Sequence, residues 1–331
     1  MNKRSNLRDV AEYAGVSVAT ASRVMNTPDL VKPETRKKVN AAIEALRFVP
    51  SAAARAINSG RSRFVAALIP TLDYSIFSRF LNALEKRLSE LELSLIVATT
   101  DGNPEIEAKK AKELINIGCE GFIVSGYSHN ADFFKLIERS NLPTILSSTS
   151  QSVHGLPSIG YDNRASANLA VEHLVALGHK DIAVIHGSTS GNDRQRERVE
   201  AIKRNNLVNA RFFEGELSVG HGRETVQRVL GENYAATAFL CTSDIIAMGA
   251  IFGVQAAGKH VPSDYSIVGM EDISFAQHSN PALSTVRLSV AKMGEECANV
   301  ISDWLETGTR PKSITLNSEL IIRDSTFDRA R

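Results

Sequence analysis

A chain of 331 residues, 43% apolar and 23% charged, is long enough for two or three domains and has the composition of a globular protein, not a disordered or fibrous one. No stretch resembles a signal-peptide apolar region and no apolar run reaches membrane-spanning length, so neither secretion nor a membrane partner is expected. Cys119, Cys241 and Cys297 are odd in number, far apart and without metal-ligand spacing, which fits a reducing, cytoplasmic setting. The net charge of +1 is unevenly placed: residues 1–63 carry 12 Lys and Arg against 5 Asp and Glu, and the remainder 26 against 32. A small basic head on a mildly acidic body directs the head towards a polyanion.

The head reads as three helices. Leu7, Val10, Ala11 and Ala14 share one helical face in "NLRDVAEYAG", with Asn6 placed to cap its start and Gly15 to end it. Ser17 is placed to cap a second helix, "VATASRVMN", with Ala21 and Val24 inward. Pro33 opens a third, "PETRKKVNAAIEALRF", whose inward face is Val39, Ala42, Ile43 and Leu46. Helix, short Gly-containing turn and helix make a small all-α helix-turn-helix head.

The second helix is bare. Small residues at its start, Val18 and Ala19, let a backbone approach the major groove closely and can meet thymine methyls. Arg23, one turn on, can give two hydrogen bonds to guanine, while Ser17, Thr20, Ser22 and Asn26 suit phosphate oxygens. Asn6 and Leu7, at the start of the first helix, complete the DNA-facing set for the head. Residues 51–57, "SAAARAI", are helix-prone but too short to hold a helix alone.

From Phe64 the pattern alternates. "FVAALIP", "LSLIVATT" and "GFIVSG" are apolar strands separated by amphipathic helices, and a second series runs from "SIGYD" through "DIAVIHG", "ARFFEGE" and "AFLCTSD" to "SIVGMED". Buried strands alternating with helices predict an α/β body of two doubly wound parallel-sheet lobes, with ligands bound at the carboxyl ends of the strands. Catalytic signatures are missing: no Walker loop, no GxGxxG after a strand, no GxSxG and no HExxH. No enzyme activity, cofactor or metal is therefore expected. His173, His179 and Trp304 read as packing residues, and "HGSTSG" as an anion cradle or a cleft-lining loop.

"LRDVAEYAGVSVATASRVMN" followed by "VKPETRKKVNAAIEAL" resembles the head of the lactose/galactose repressor (LacI/GalR) family, and "FVPSAAARAINSGRS" its hinge helix and linker. The likeness continues through "DNRASANLAVEHLVALGHKDIAVIHG", "VPSDYSIVGMEDISFAQHSNPALSTVRLSVAKMGEECA" and "LIIRDST". It implies a type I periplasmic-binding-protein-like body and a head at 1–50 with a hinge and linker at 51–63. The N-terminal lobe would hold 64–160 and 291–319, and the C-terminal lobe 161–290 and 320–331. It also implies a hinge that folds on the operator, with Ile57 as the minor-groove lever where the family usually has Leu, Ala54 against the groove and Ser51 and Arg55 near phosphate. The chain ends soon after "RDST" without a tetramerising heptad segment, so the expected state is a homodimer on a pseudo-palindromic double-stranded operator with a central CG.

For the small-molecule effector, the resemblance places Arg198 in the cleft and makes Arg194 and Arg196 a solvated helical face. Ser243 and Glu271 stand where relatives carry Asn and Asp, Leu217 where the lactose and purine repressors carry an aromatic, and Ser125 at a polar strand end. Phe77 fits a cleft-facing Phe, and Tyr74 and Tyr161 supply further walls. Aromatic walls with a few convergent polar groups suit a sugar or sugar derivative, and the cluster of Arg194, Arg196 and Arg198 admits a sugar acid or sugar phosphate. Two other classes remain beside this regulator. A transport solute-binding protein is opposed by the basic head, and a sugar-kinase-like repressor by the missing phosphate loops.

Overall fold

The computed structural model describes residues 5–49, 61–232 and 234–329. It divides into two compact units, Met1–Ser62 and Arg63–Arg331. In the first, helices α1 (Leu7–Tyr13), α2 (Val18–Asn26) and α3 (Pro33–Ala45) surround a small core of Val10, Ala11, Ala21, Val24, Val39 and Ala42. Leu7, Ala14, Ile43 and Leu46 pack partly buried around it. Asn6 caps α1 by accepting the backbone N–H groups of Arg8 and Asp9, and Asp9 returns a bond to the Asn6 N–H, closing a capping box. Gly15, at φ +66°, makes the turn into α2 in a conformation that side-chain-bearing residues rarely adopt.

The second unit holds two six-stranded sheets. The first contains β1 (Phe64–Ile69), β2 (Ser94–Thr99), β3 (Gly121–Ser125), β4 (Thr144–Ser147), β5 (Ser158–Tyr161) and β11 (Ile314–Leu316), in the order β11-β5-β4-β3-β1-β2. The second contains β6 (Asp181–Gly187), β7 (Asn209–Gly215), β8 (Ala238–Cys241), β9 (Ser266–Glu271), β10 (Ser284–Leu288) and β12 (Ser318–Ile321), in the order β12-β10-β9-β8-β6-β7. The helices between them are α4 (Ser75–Glu90), α5 (Pro104–Ile117), α6 (Ala131–Ser140), α7 (Asn163–Ala176), α8 (Asp193–Arg204), α9 (Val219–Gly231), α10 (Asp244–Ala256) and α11 (Val290–Thr307). Strand interiors such as Val65–Ile69 and Ile182–Ile185 are buried throughout, as central parallel strands covered by helices on both faces must be.

Three chain crossings join the lobes. They follow β5, β10 and β11, and the lobe boundaries differ from the sequence-based ones by a residue or two. Tyr161 ends β5 and belongs to the first sheet, while Ser318 and Glu319 open β12 in the second, so the last crossing falls at Asn317. β12 also departs from the parallel pattern: it pairs antiparallel with β10, and every other ladder is parallel among the described residues. The reason is geometric. The carboxyl ends of both sets of strands face the cleft, so a chain leaving β11 with only Asn317 between enters the second sheet from its carboxyl side.

The packing histidines are satisfied. His173 Nε2 meets Thr326 Oγ1 at 3.0 Å, and His179 lies between Thr237 and Ser266 at 2.8 and 2.9 Å. Burial lowers the pKa of both rings. Trp304 packs partly buried on the first-lobe core with Arg310 over its ring. The three cysteines are free and buried. No helix among the described residues is long and apolar enough to cross a membrane.

Candidate functional sites

In the head, successive helical residues advance by about 100°. Val18, Ala19, Ser22, Arg23 and Asn26 therefore share an arc of about 140°, and Ala21 and Val24 point the other way into the core. Val18, Ala19 and Arg23 are exposed, and Arg23 forms no ion pair among the described residues. The result is a small, weakly polar helix face with one cation. Four sequence-based assignments change character. Ser17 Oγ accepts the Thr20 N–H at 3.1 Å and lies 2.8 Å from Thr20 Oγ1, so these hydroxyls first serve each other and the cap. Thr20 also stands off the arc shared by the other five. The Asn6 carbonyl oxygen is committed to the α1 cap, and Leu7 is half-buried against the head core. The Asn26 side chain and all of Ser51, Ala54, Arg55 and Ile57 lie outside the described residues.

In the body, a cavity of about 260 Å³ lies between the lobes. Tyr74, Phe77, Tyr161, Arg198, Leu217, Ser243 and Glu271 all line it. Tyr74 precedes α4 and Phe77 sits in its first turn, with ring centroids 6.5 Å apart. Leu217 packs over Gly187, where an added Cβ would approach it to 2.6 Å. Ser125 is the exception. It lines a smaller neighbouring cavity instead, because Arg194 covers the end of β3 and donates to the Ser125 carbonyl at 3.0 Å.

Arg198 is the buried centre of the polar wall. Its Nε donates to Asn163 Oδ1 at 3.0 Å and its Nη1 to the Thr242 carbonyl at 2.8 Å, and Asn163 donates in turn to the Ser148 carbonyl of the other lobe at 3.1 Å. Glu271 Oε1 lies 3.9 Å from Arg198 Nη1, and its other oxygen accepts from Ser243 Oγ at 3.0 Å. Burial pushes the Glu271 carboxyl up to about 7 despite the neighbouring guanidinium. Its backbone is unusual: Glu271 has φ 115° and the next residue, Asp272, φ 50°. Such strain persists only where the surroundings fix it. Asp272 supplies that fixing, with its carboxylate held by Arg287 and Arg323 at 2.7 Å each. The Asp272 carbonyl accepts from Arg79 of α4, in the first lobe, at 2.8 Å. Asp244, next to Ser243, faces inward instead: it accepts from Thr285 Oγ1 and the Ile273 N–H at 2.6 and 2.8 Å, and burial raises it to about 6.

Sequence reasoning missed the start of α8. Asp193 is completely buried and accepts the backbone N–H groups of Tyr127 and of Ser128, the latter at 2.6 Å, from the loop after β3. Arg194 and Arg196 are not a solvated face. Arg194 lines the cavity and pairs with Asp193 at 3.0 Å, and Arg196 donates to Ser128 Oγ at 3.0 Å with its guanidinium over the Tyr127 ring. Asn192 caps α8 and the Asp193 carboxylate occupies its first turn; of the "HGSTSG" loop Gly191 lines the smaller neighbouring cavity, and the Thr189 N–H donates to the Glu214 carboxylate at 3.2 Å. One signal was available: Arg194 lies four residues before Arg198 and thus on the same helical face.

A two-lobed body with a buried, partly polar cavity at its strand ends, in one chain with a helix-turn-helix head, defines a ligand-binding transcription regulator. The model for "Bacterial regulatory proteins, lacI family" matches residues 6–51, and that for "Periplasmic binding protein-like domain" matches residues 171–326. The chain thus carries a lacI-family DNA-binding head and a periplasmic-binding-protein-like body, the make-up of a DNA-binding transcriptional repressor of that kind. It is 29% identical over 329 residues to the HTH-type transcriptional repressor PurR of Actinobacillus pleuropneumoniae serotype 3, covering 97% of this chain and 98% of that one. It is 28% identical over 325 residues to catabolite control protein A of Priestia megaterium, covering 96% and 98%. A structure of the Lac repressor dimer bound to operator and the anti-inducer ONPF superposes with a TM-score of 0.86 at 27% identity, covering 98% of this chain and all of that one.

Proposed function

We propose that this protein is a cytoplasmic homodimeric repressor, not an enzyme, that binds an inverted-repeat operator and releases or tightens its grip when an uncharged carbohydrate occupies the inter-lobe cavity. Val18 and Ala19 would contact thymine methyls and Arg23 a guanine edge, with hydroxyl and amide groups of the same helix on phosphates. The hinge at 51–57, with Ile57 as a minor-groove wedge, would link the lobes to the DNA. A dimer would match the two half-sites of such an operator.

The observation that carries the ligand reading is the Arg198–Glu271 pair, 3.9 Å apart in the cavity wall. Arg194, the other guanidinium there, is matched by Asp193. Above about pH 7, where Glu271 is ionised, both cations are matched, and the wall then offers donors and acceptors to hydroxyl groups but little free positive charge for an acid or phosphate. The relatives named PurR favour a second reading, a purine base. A flat heterocycle would sit on Tyr74 and Phe77, but Leu217 offers it no opposing ring.

A thermal-shift screen separates these readings, because a ligand of the native state raises the melting temperature. Neutral sugars, their phosphates and acids, and nucleobases are compared. A shift with a neutral sugar supports the carbohydrate reading, a shift with nucleobases alone replaces it with the second, and a shift confined to sugar phosphates overturns the charge argument.

A further inference from the structure

This inference rests on the reading of the inter-lobe cavity as the effector site and concerns what limits the effector's size. Three hollows follow one another from the centre of the cleft to its edge. The central cavity, about 260 Å³, shares Pro70 and Arg194 with a small cavity of about 30 Å³. That small cavity shares Gly102 and Asn103 with an open surface hollow of about 600 Å³. At the rim the lobes nearly meet: a Cβ on Gly191 would lie 3.7 Å from the Gly102 carbonyl.

Arg194 stands between the first two hollows. Its guanidinium is fixed there by the Ser125 carbonyl and by Asp193 Oδ1, each at 3.0 Å, and its side chain is only 12% exposed. Gly126 is pressed against it so closely that an added Cβ would fall 2.0 Å from Arg194 Nη1. A side chain held by one bond to each lobe does not swing aside as a free surface arginine does, because its rotamer is paid for by paired, buried partners.

We propose that Arg194 is a specificity-determining plug that limits the effector to a single ring. Without its side chain the three hollows would join into one passage from the Arg198–Glu271 wall to the lobe edge, long enough for a ligand extended by a second ring. The wall that reads the first ring, Arg198, Glu271 and Ser243, lies on the far side of the plug and is left in place.

The test compares full-length wild type, Arg194→Ala and Arg194→Met by titration calorimetry with neutral monosaccharides and the 1→4-linked disaccharides built from them. Met keeps an uncharged stem that reaches about as far as the arginine Nε, so it fills part of the plug without its hydrogen bonds and separates bulk from loosened lobe contacts. The wild type should bind a monosaccharide on the order of tenfold or more tighter than its disaccharide, Arg194→Met should keep part of that preference, and Arg194→Ala should lose most of it. An unchanged preference in a folded Arg194→Ala, or a wild type that binds the disaccharide as tightly, overturns the plug while leaving the cavity as effector site. Absence of binding by every sugar to every variant overturns the carbohydrate reading itself, and the plug with it.

Discussion

Asp193 of the second lobe accepts the backbone N–H of Ser128 of the first at 2.6 Å, with its carboxylate wholly buried. The Tyr127 N–H and Arg194 Nη1 complete its shell, so one carboxylate ties the loop after β3 to the start of α8. A buried charge held by two amides and a guanidinium is stable only while all three stay in place. The contact therefore marks how closely the lobes approach.

Asp193→Asn should weaken this closure. Both N–H groups donate to the same carboxylate oxygen, so an asparagine that keeps them turns its NH2 group towards Arg194 Nη1, and a buried donor left without a partner costs about 1–3 kcal/mol. Urea unfolding should show a loss of that size, and small-angle scattering a wider body. An unchanged midpoint would mean that the lobes are held elsewhere.

Gly126→Ala attacks the same contact from the other side. Gly126 has φ +81°, and its new Cβ would fall 2.5 Å from Asp193 Oδ1 as well as against Arg194. Backbone strain and clash together should cost more than about 1 kcal/mol. Thermal melting of the two single variants and of the double variant measures the coupling: a double loss well below the sum of the singles identifies one shared contact, whereas simple addition would separate them.

The cavity wall predicts a pH dependence. Burial raises Glu271 to about 7 and Asp244 to about 6, whereas an unfolded chain releases these protons in the ordinary carboxylate range. Between that range and pH 7 the folded state holds more protons than the unfolded one, so stability falls as pH rises through this window. Glu271→Gln removes the upper part of the fall, from about pH 6 to 7, and leaves the lower part to Asp244. Parallel stability profiles for variant and wild type would show that Glu271 titrates normally. Arg198→Ala should move the wild-type fall the opposite way, to higher pH, because it removes the nearest compensating cation.

Much of this architecture is legible in the residues. The heptad-free, Ala-rich second helix, the glycine turn and the alternating strands and helices follow from periodicity and caps that act over a few residues. Six of the seven cavity residues named from the sequence lie at or beside strand or helix ends, where the fold class itself directs side chains to the cleft, and Arg198 lies in the middle of α8. Ser125 and Asp193 were misjudged or missed for one shared reason. Asp193 finds its partners 65 and 66 residues upstream, and they are backbone N–H groups, which no side-chain pattern announces. The same loop brings Arg194 over Ser125 and so separates that strand end from the cavity. The last crossing, expected at 319/320, falls slightly earlier at Asn317, because the two strands it joins are separated by that one residue.

The head makes a prediction at the level of single bases. Arg23→Ala should cost about 1–3 kcal/mol per half-site and remove discrimination at one G·C pair, because a two-bond contact to guanine is lost. Replacing both Val18 and Ala19 with polar residues should instead change the preferred bases beside it. Competition binding with single-base operator variants resolves the two effects, and a uniform loss across all variants would reassign Arg23 to phosphate.

The central claim is that this head reads a symmetric DNA sequence, and selection from a random double-stranded library by the full-length protein tests it most directly. The account predicts enrichment of an inverted repeat whose half-sites each contain a G·C pair that Arg23→Ala no longer selects. Recovery of no common sequence, or of a single asymmetric site indifferent to Arg23→Ala, would contradict it.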